Sequence, residues 1–351
     1  MGELSAFEDL MKVYYTALGL IGIPANLFAA YVVLKKPCAL SKTTTIYLVA
    51  LAISDTTCLL WACFFNLTRL FQPSGNLWLY KPWCDLAMVL EHGTILCSTW
   101  IIVAFTIERY VVLFCKHNKQ ILAQPKVAVA AIIGVLLLSY LAPVVVFLLD
   151  TNMHWIESLH REPSGDAFNL WRERCFFSNS TYLSTVAWIH PFIYGGLPFF
   201  LIILFSSLIA HQLQWKMRVQ ADQVSHTFRV TRAKARKSVG LLLTVSFTTV
   251  CLGLPRFVVE CIPYNTAEPD NVPTPSVVAD VTVMLEWLNS GLDFCLYCLA
   301  CSAFRKECAS LLRCRGFPLQ PARVTIVKLV PLHHHSIPVT VDATRPEADF
   351  P

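Results

Sequence analysis

Arg109 stands between Glu108 and Tyr110 at the end of a long apolar stretch, one of seven in the chain. Ionisable groups inside such stretches are expensive, so each marks a candidate functional site. They fall into two layers. The inner layer holds Asp55, Ser98, Asn289, Ser290 and Asp293. The last three lie within four residues of a neighbour and therefore share one helix face, with Glu286 and Tyr297 extending the stripe. Two carboxylates among hydroxyl and amide oxygens suit a sodium ion, because hard cations take oxygen ligands. The alternative is that one acid keeps a proton and hydrogen-bonds the other, since like charges at close quarters resist double ionisation. The outer layer holds Asn66, Glu91, His92, His190, Arg256 and Glu260. Glu91 precedes Arg109 by about five helical turns, which puts both on one face roughly 27 Å apart. An acid and a guanidinium in one cavity match a ligand bearing both an amine and a carboxylate, and arginine grips carboxylates bidentately. Two internal pairings compete with this: Glu260 follows Arg256 by one helical turn, and Glu91 could itself reach Arg256.

The elements that position these residues are membrane spans. A spanning helix needs about 20 mainly apolar residues, and the stretches run at about 13–34, 44–68, 84–113, 127–149, 185–213, 238–262 and 277–300. Helices apolar on all sides for so long are rare in a water-soluble fold. The predicted fold is thus an all-α membrane protein, a seven-helix bundle over 13–300, with a short amphipathic eighth helix over 301–315. The chain is 55% hydrophobic and 15% charged over 351 residues, which leaves no length for a separate soluble domain. No nucleic-acid partner is expected, and no cofactor other than a structural sodium ion.

Orientation follows from basic residues, which favour the cytoplasmic side. Lys35, Lys36 and Lys42 lie between spans one and two; Lys116, Lys119 and Lys126 follow span three; Arg229, Arg232, Lys234, Arg236 and Lys237 precede span six. Residues 1–12 carry Glu3, Glu8 and Asp9 and form the expected extracellular N-terminus of a multi-pass plasma-membrane protein. They lack a cleavable signal pattern, so span one is expected to serve as its own insertion signal. Most of the 14 cysteines sit within spans as small apolar side chains. Cys84, at the outer start of span three, and Cys175, in the loop before span five, are expected to form a disulfide in an oxidising exterior. Cys295, Cys298 and Cys301 mimic a metal spacing, but packing inside a membrane helix accounts for them. Asn179-Ser180-Thr181 is a glycosylation acceptor on an outer loop. In the eighth helix, Phe304, Leu311 and Leu312 oppose Arg305, Lys306, Arg313 and Arg315, so it lies against membrane lipids. Juxtamembrane Cys308 and Cys314 are palmitoylation candidates. The Pro-rich residues 316–351 read as a disordered cytoplasmic tail.

These residues together resemble a class A (rhodopsin-like) G-protein-coupled receptor across 13–315. Asn26 sits in GIPANLF, Asp55 in LAISD, Cys84 at the usual interval before Glu108-Arg109-Tyr110, Pro198 and Pro255 at the span-five and span-six proline positions, and Tyr297 at the end of the span-seven motif. The resemblance implies an extracellular ligand, a heterotrimeric G protein engaged through Glu108, Arg109, Tyr110 and Tyr297, and arrestin as a further partner. Departures are specific: Gly253 replaces the span-six aromatic, Asp293-Phe294 replaces Asn-Pro, Ser206 replaces the span-five tyrosine, and span four has no tryptophan. No acid lies near Ala235 to pair Arg109 with span six, so Glu108 is expected to hold it locally. A narrower resemblance, through VLEHGTILCSTWIIVAFTIERY, WIH, LPR and DFCLYC, is to a small receptor group responding to tryptophan and phenylalanine. It implies an aromatic amino acid as ligand, met by Glu91 and Arg256, and coupling to the Gq/11 class. Within that group's pattern, Gly253 stands for a tryptophan and Thr282 for an asparagine contact.

Other classes fit less well. A transporter should show internal repeats and paired broken helices. A retinal-binding pump needs a span-seven lysine, and 277–300 contains none. An enzyme would have to be assembled from His92, His190 and Glu91 alone. Within receptors, a neuropeptide ligand is the main rival, because the loop 150–184 is long and charged.

Overall fold

The computed structural model describes residues 2–35, 41–72, 77–79, 82–115, 119–160, 191–219, 226–261, 277–300 and 302–312. Among them the chain is helical, with no strand. The long helices are α1 (Gly2–Lys35), α2 (Lys42–Phe71), α3 (Trp83–Phe114), α4 (Pro125–His160), α5 (Leu197–Val219), α6 (His226–Cys261) and α7 (Val277–Ala300), followed by the short α8 (Ser302–Leu312). Six contain apolar segments long enough to cross a membrane. The seventh, α7, carries Asp280, Glu286 and Asp293 along its length and completes the bundle by packing on α6, α1 and α2. α3 is the central helix and touches α2, α4, α5 and α6. Residues 313–351 lie outside the described residues.

Burial is inverted relative to a water-soluble protein. Leu20, Leu137, Leu138, Phe247 and Leu299 are exposed on the outside of the bundle, whereas Asn26, Asp55, Ser98, Glu108, Arg109, Ser290 and Asp293 are buried inside it. An apolar belt of this extent requires a hydrocarbon solvent, and helices suit that solvent because they satisfy their own backbone groups.

Several boundaries differ from the sequence expectation. α1 begins at Gly2, not near residue 13, so the segment expected to be a free N-terminus is helical. Residues 2–12 contain no glycine or proline beyond Gly2 and favour helix, and Lys12 bonds Asp9 one turn away at 2.9 Å. α6 likewise extends before the expected span start, to His226. Residues 185–190 of expected span five lie outside the described set. There α5 is preceded by a wide π turn, Phe192–Gly196, in which Gly195 and Gly196 lie against the Phe257 ring of α6. A Cβ on Gly195 would stand 2.9 Å from that ring, so glycine permits the close approach of the two helices.

The family departures have local compensations. Phe294, in place of proline, leaves α7 unbroken and packs between Phe28 of α1, tilted, and Phe304 of α8, edge-on, at 5.9 and 5.7 Å between ring centroids. Arg305 folds back to donate to the Cys298 and Leu299 carbonyls at 2.6 and 3.0 Å. A cation there satisfies the carbonyls left free at a helix end and opposes the dipole.

Candidate functional site

The inner layer assembles on α2, α3 and α7. Ser98 donates to Asp55 at 2.6 Å, and Tyr297 donates to Asp293 at 3.2 Å. Asp55 and Asp293 are 1% and 2% exposed and in hydrogen-bond contact with each other, and Ser290 also bonds Asp55. The two acids thus face one another with only hydroxyl and carboxyl oxygens around them, an arrangement open to either the ion or a hydrogen-bonded acid pair. The donor set still fits a sodium ion, since only oxygens converge. Asn26 of α1 donates to the Ser290 carbonyl at 2.7 Å, while its own Oδ1 is buried without a partner. Asn289 is turned from the acid pair and accepts from Thr249 of α6 at 3.3 Å.

In the outer layer the charges pair within the protein. Glu91 faces Arg69 of α2 at 3.5 Å, and Arg256 binds Glu260 at 2.6 Å. Glu91 does not pair with Arg256. Arg69 escaped sequence reasoning; its signal was a cation in the last turn of span two, one helix away from Glu91. His92 contacts the Met88 carbonyl at 2.9 Å and meets Tyr194 edge-on at 5.6 Å. Asn66, expected to face a ligand, donates back to Ala62 of its own helix at 2.8 Å, a bond that draws its amide along α2. Thr282 also bonds its own helix, at the Ala279 carbonyl.

Between the layers lies a cavity of about 20 Å³, lined by Ser98, Thr99, Thr249, Glu286, Trp287 and Asn289 among others. Phe199 of α5 and Gly253 of α6 also border it. A Cβ on Gly253 would stand 2.5 Å from Phe199 Cζ, so the ring of α5 occupies the space that an α6 side chain would need.

At the other end of the bundle, Glu108 pairs with Arg109 through two guanidinium nitrogens. Arg109 also donates to Thr43 at 2.6 Å and Ser41 at 3.3 Å, at the start of α2. Ser41 caps that helix by accepting from the Thr44 amide at 3.2 Å. Tyr110 packs on Phe205 of α5, and Tyr297 on Phe304. No described acid of α6 pairs with Arg109.

Cys84 is disulfide-bonded. The other residue expected in that bond, Cys175, lies outside the described residues, as do His190, Asn179 and Cys314. The Cys308 thiol is buried with Phe304 against the bundle core, and burial pushes it up to about 11. Among the described residues there is no group of three or more His, Cys, Asp or Glu side chains placed to hold a metal ion.

Residues 25–297 match the model of the 7 transmembrane receptor (rhodopsin family). The chain is similar to neuropeptides B/W receptor type 2 of Bos taurus, 23% identical with 89% of this chain and 88% of that one aligned. It is similar to proteinase-activated receptor 2 of Bos taurus, 22% identical over 87% of this chain and 72% of that one. It is also similar to the D(1A) dopamine receptor of Xenopus laevis, 21% identical over 99% and 81%.

Proposed function

Because the chain belongs to the rhodopsin family of seven-transmembrane receptors, we propose that it detects a small extracellular ligand of the aromatic amino-acid class and activates a Gq/11-type G protein. The N-terminus lies outside, so the Cys84 end receives the ligand and the Arg109 end meets the G protein. The observation that carries this reading is the outer pairing of Arg256 with Glu260 and of Arg69 with Glu91. The Arg256–Glu260 pair is partly exposed, and an exposed ion pair contributes little stability, so a ligand can exchange for Glu260. A carboxylate displaces Glu260 from Arg256, and an amine finds an acid in the same chamber. Arg256 sits next to Pro255, where α6 can pivot.

In the resting state Arg109 is held by Glu108, Thr43 and Ser41. Outward movement of α6 opens the Arg109 end to the G protein, and arrestin uses the same opening. Asp55, Ser98, Ser290 and Asp293 would hold a sodium ion, and the ion's charge would favour the resting state. Cys84 and Cys175 tie the loop before α5 across the outer mouth, Asn179 carries glycan on that loop, and Cys314 carries an acyl chain.

A peptide ligand is the second reading, favoured by similarity to a neuropeptides B/W receptor. Calcium and cyclic-AMP responses of transfected cells separate the two. Calcium release on free tryptophan or phenylalanine, absent in Arg256→Ala, supports the first. A response to peptides alone supports the second.

A further inference from the structure

With Glu91 and Glu260 already paired, the acids that remain for a ligand's amine are on α7, Asp280 in its first turn and Glu286 at the cavity. Glu286 borders the central cavity and has no hydrogen bond or ion pair among the described residues. Next to it, Trp287 is 3% exposed, and its indole N–H is buried without a partner. An unpaired carboxylate therefore borders the chamber, beside the Trp287 side chain.

We propose that Glu286 and the chamber beside it form a subsite for the primary ammonium group of the ligand. The volume of about 20 Å³ admits one group the size of a water molecule. An ammonium has that size, and its three donors suit Glu286 with the oxygens of Thr99, Thr249 and Ser98 on the same walls. Phe199 and Trp287 supply ring faces to a cation and an apolar wall to an aromatic tail. Gly253 contributes no side chain on the α6 wall. Arg256 lies three residues beyond Gly253, roughly one helical turn further out, and Glu286 feels its charge. An amino acid thus places its amine on Glu286 and its carboxylate on Arg256. This rests on the amino-acid reading above and moves the amine's partner from Glu91 to Glu286.

The test uses the purified full-length receptor in detergent and follows thermal unfolding with tryptamine or its neutral counterpart tryptophol. Tryptamine should raise the midpoint of wild type and tryptophol should not. In Glu286→Gln the half-maximal tryptamine concentration should rise at least about tenfold, as for loss of a buried charge partner, while Glu286→Asp should keep part of the effect. Equal action of the two compounds on wild type overturns the subsite, and so does an unchanged tryptamine curve in Glu286→Gln. If the Gln variant does not fold, the Asp variant and the wild-type comparison decide. The same preparations, assayed for G-protein nucleotide exchange with L-tryptophan, separate the two readings. Tryptamine binding through Glu286 without stimulation by L-tryptophan leaves the subsite and removes the amino-acid agonist. Equal stimulation of wild type and Glu286→Gln does the reverse.

Discussion

Arg109 reaches across from α3 to α2 and donates to Thr43 Oγ1 at 2.6 Å. With Glu108 on its own helix, this holds the guanidinium without any described acid of α6. Under the proposed function this contact latches the resting state between α2 and α3. Thr43→Val keeps the shape and removes the acceptor, and a hydrogen bond to a charged group is worth about 1.5–3 kcal/mol. Basal second-messenger output should rise several-fold at matched surface density. Unchanged basal output would mean that Glu108 alone suffices.

The inner acids give a prediction about salt. An ion that prefers one state opposes a ligand that prefers the other. Raising sodium should weaken agonist binding to wild type, and Asp55→Asn should remove the dependence. Equal sodium sensitivity in both proteins would leave Asp55 and Asp293 as the hydrogen-bonded pair seen here.

Gly253 and Phe199 make a steric prediction. Gly253→Ala drives a methyl group into the Phe199 ring. Overpacking of this kind costs about 1–3 kcal/mol, so the unfolding midpoint should fall. Phe199→Leu should restore it in the double variant. Additive losses in the two single variants would show that the contact is not the cause.

Arg305 anchors α8 by donating to the Cys298 and Leu299 carbonyls. Arg305→Ala should loosen α8, seen as faster amide exchange over 302–312, with a loss of about 1 kcal/mol typical of a helix cap. Exchange equal to wild type would place the anchor in the Phe294–Phe304 contact instead.

The spans were legible in the sequence because long apolar runs have few other uses. Pairings along one helix were legible too: Arg256 with Glu260 follows from spacing, and Glu108 with Arg109 from the lack of an acid near Ala235. Contacts between helices were not. Arg69 reaches Glu91, and Thr43 reaches Arg109, only because of how α2 is rotated against α3, and no local spacing encodes that rotation. Gly253 reads as a loss in the sequence, and only packing shows that Phe199 from α5 fills the space. The helices α1 and α6 continue past the apolar limits read for their spans, because good helix formers flank each span.

The most direct measurement is G-protein nucleotide exchange in membranes holding Arg109→Ala at the same surface density as wild type. With Thr43, Ser41 and Glu108 serving to hold Arg109 until a G protein takes it, the variant should bind agonist and stay at the surface but lose agonist-stimulated exchange. A snorkelling arginine that merely anchors the helix end would instead lower expression or leave exchange intact. Full agonist-stimulated exchange by Arg109→Ala would contradict the account.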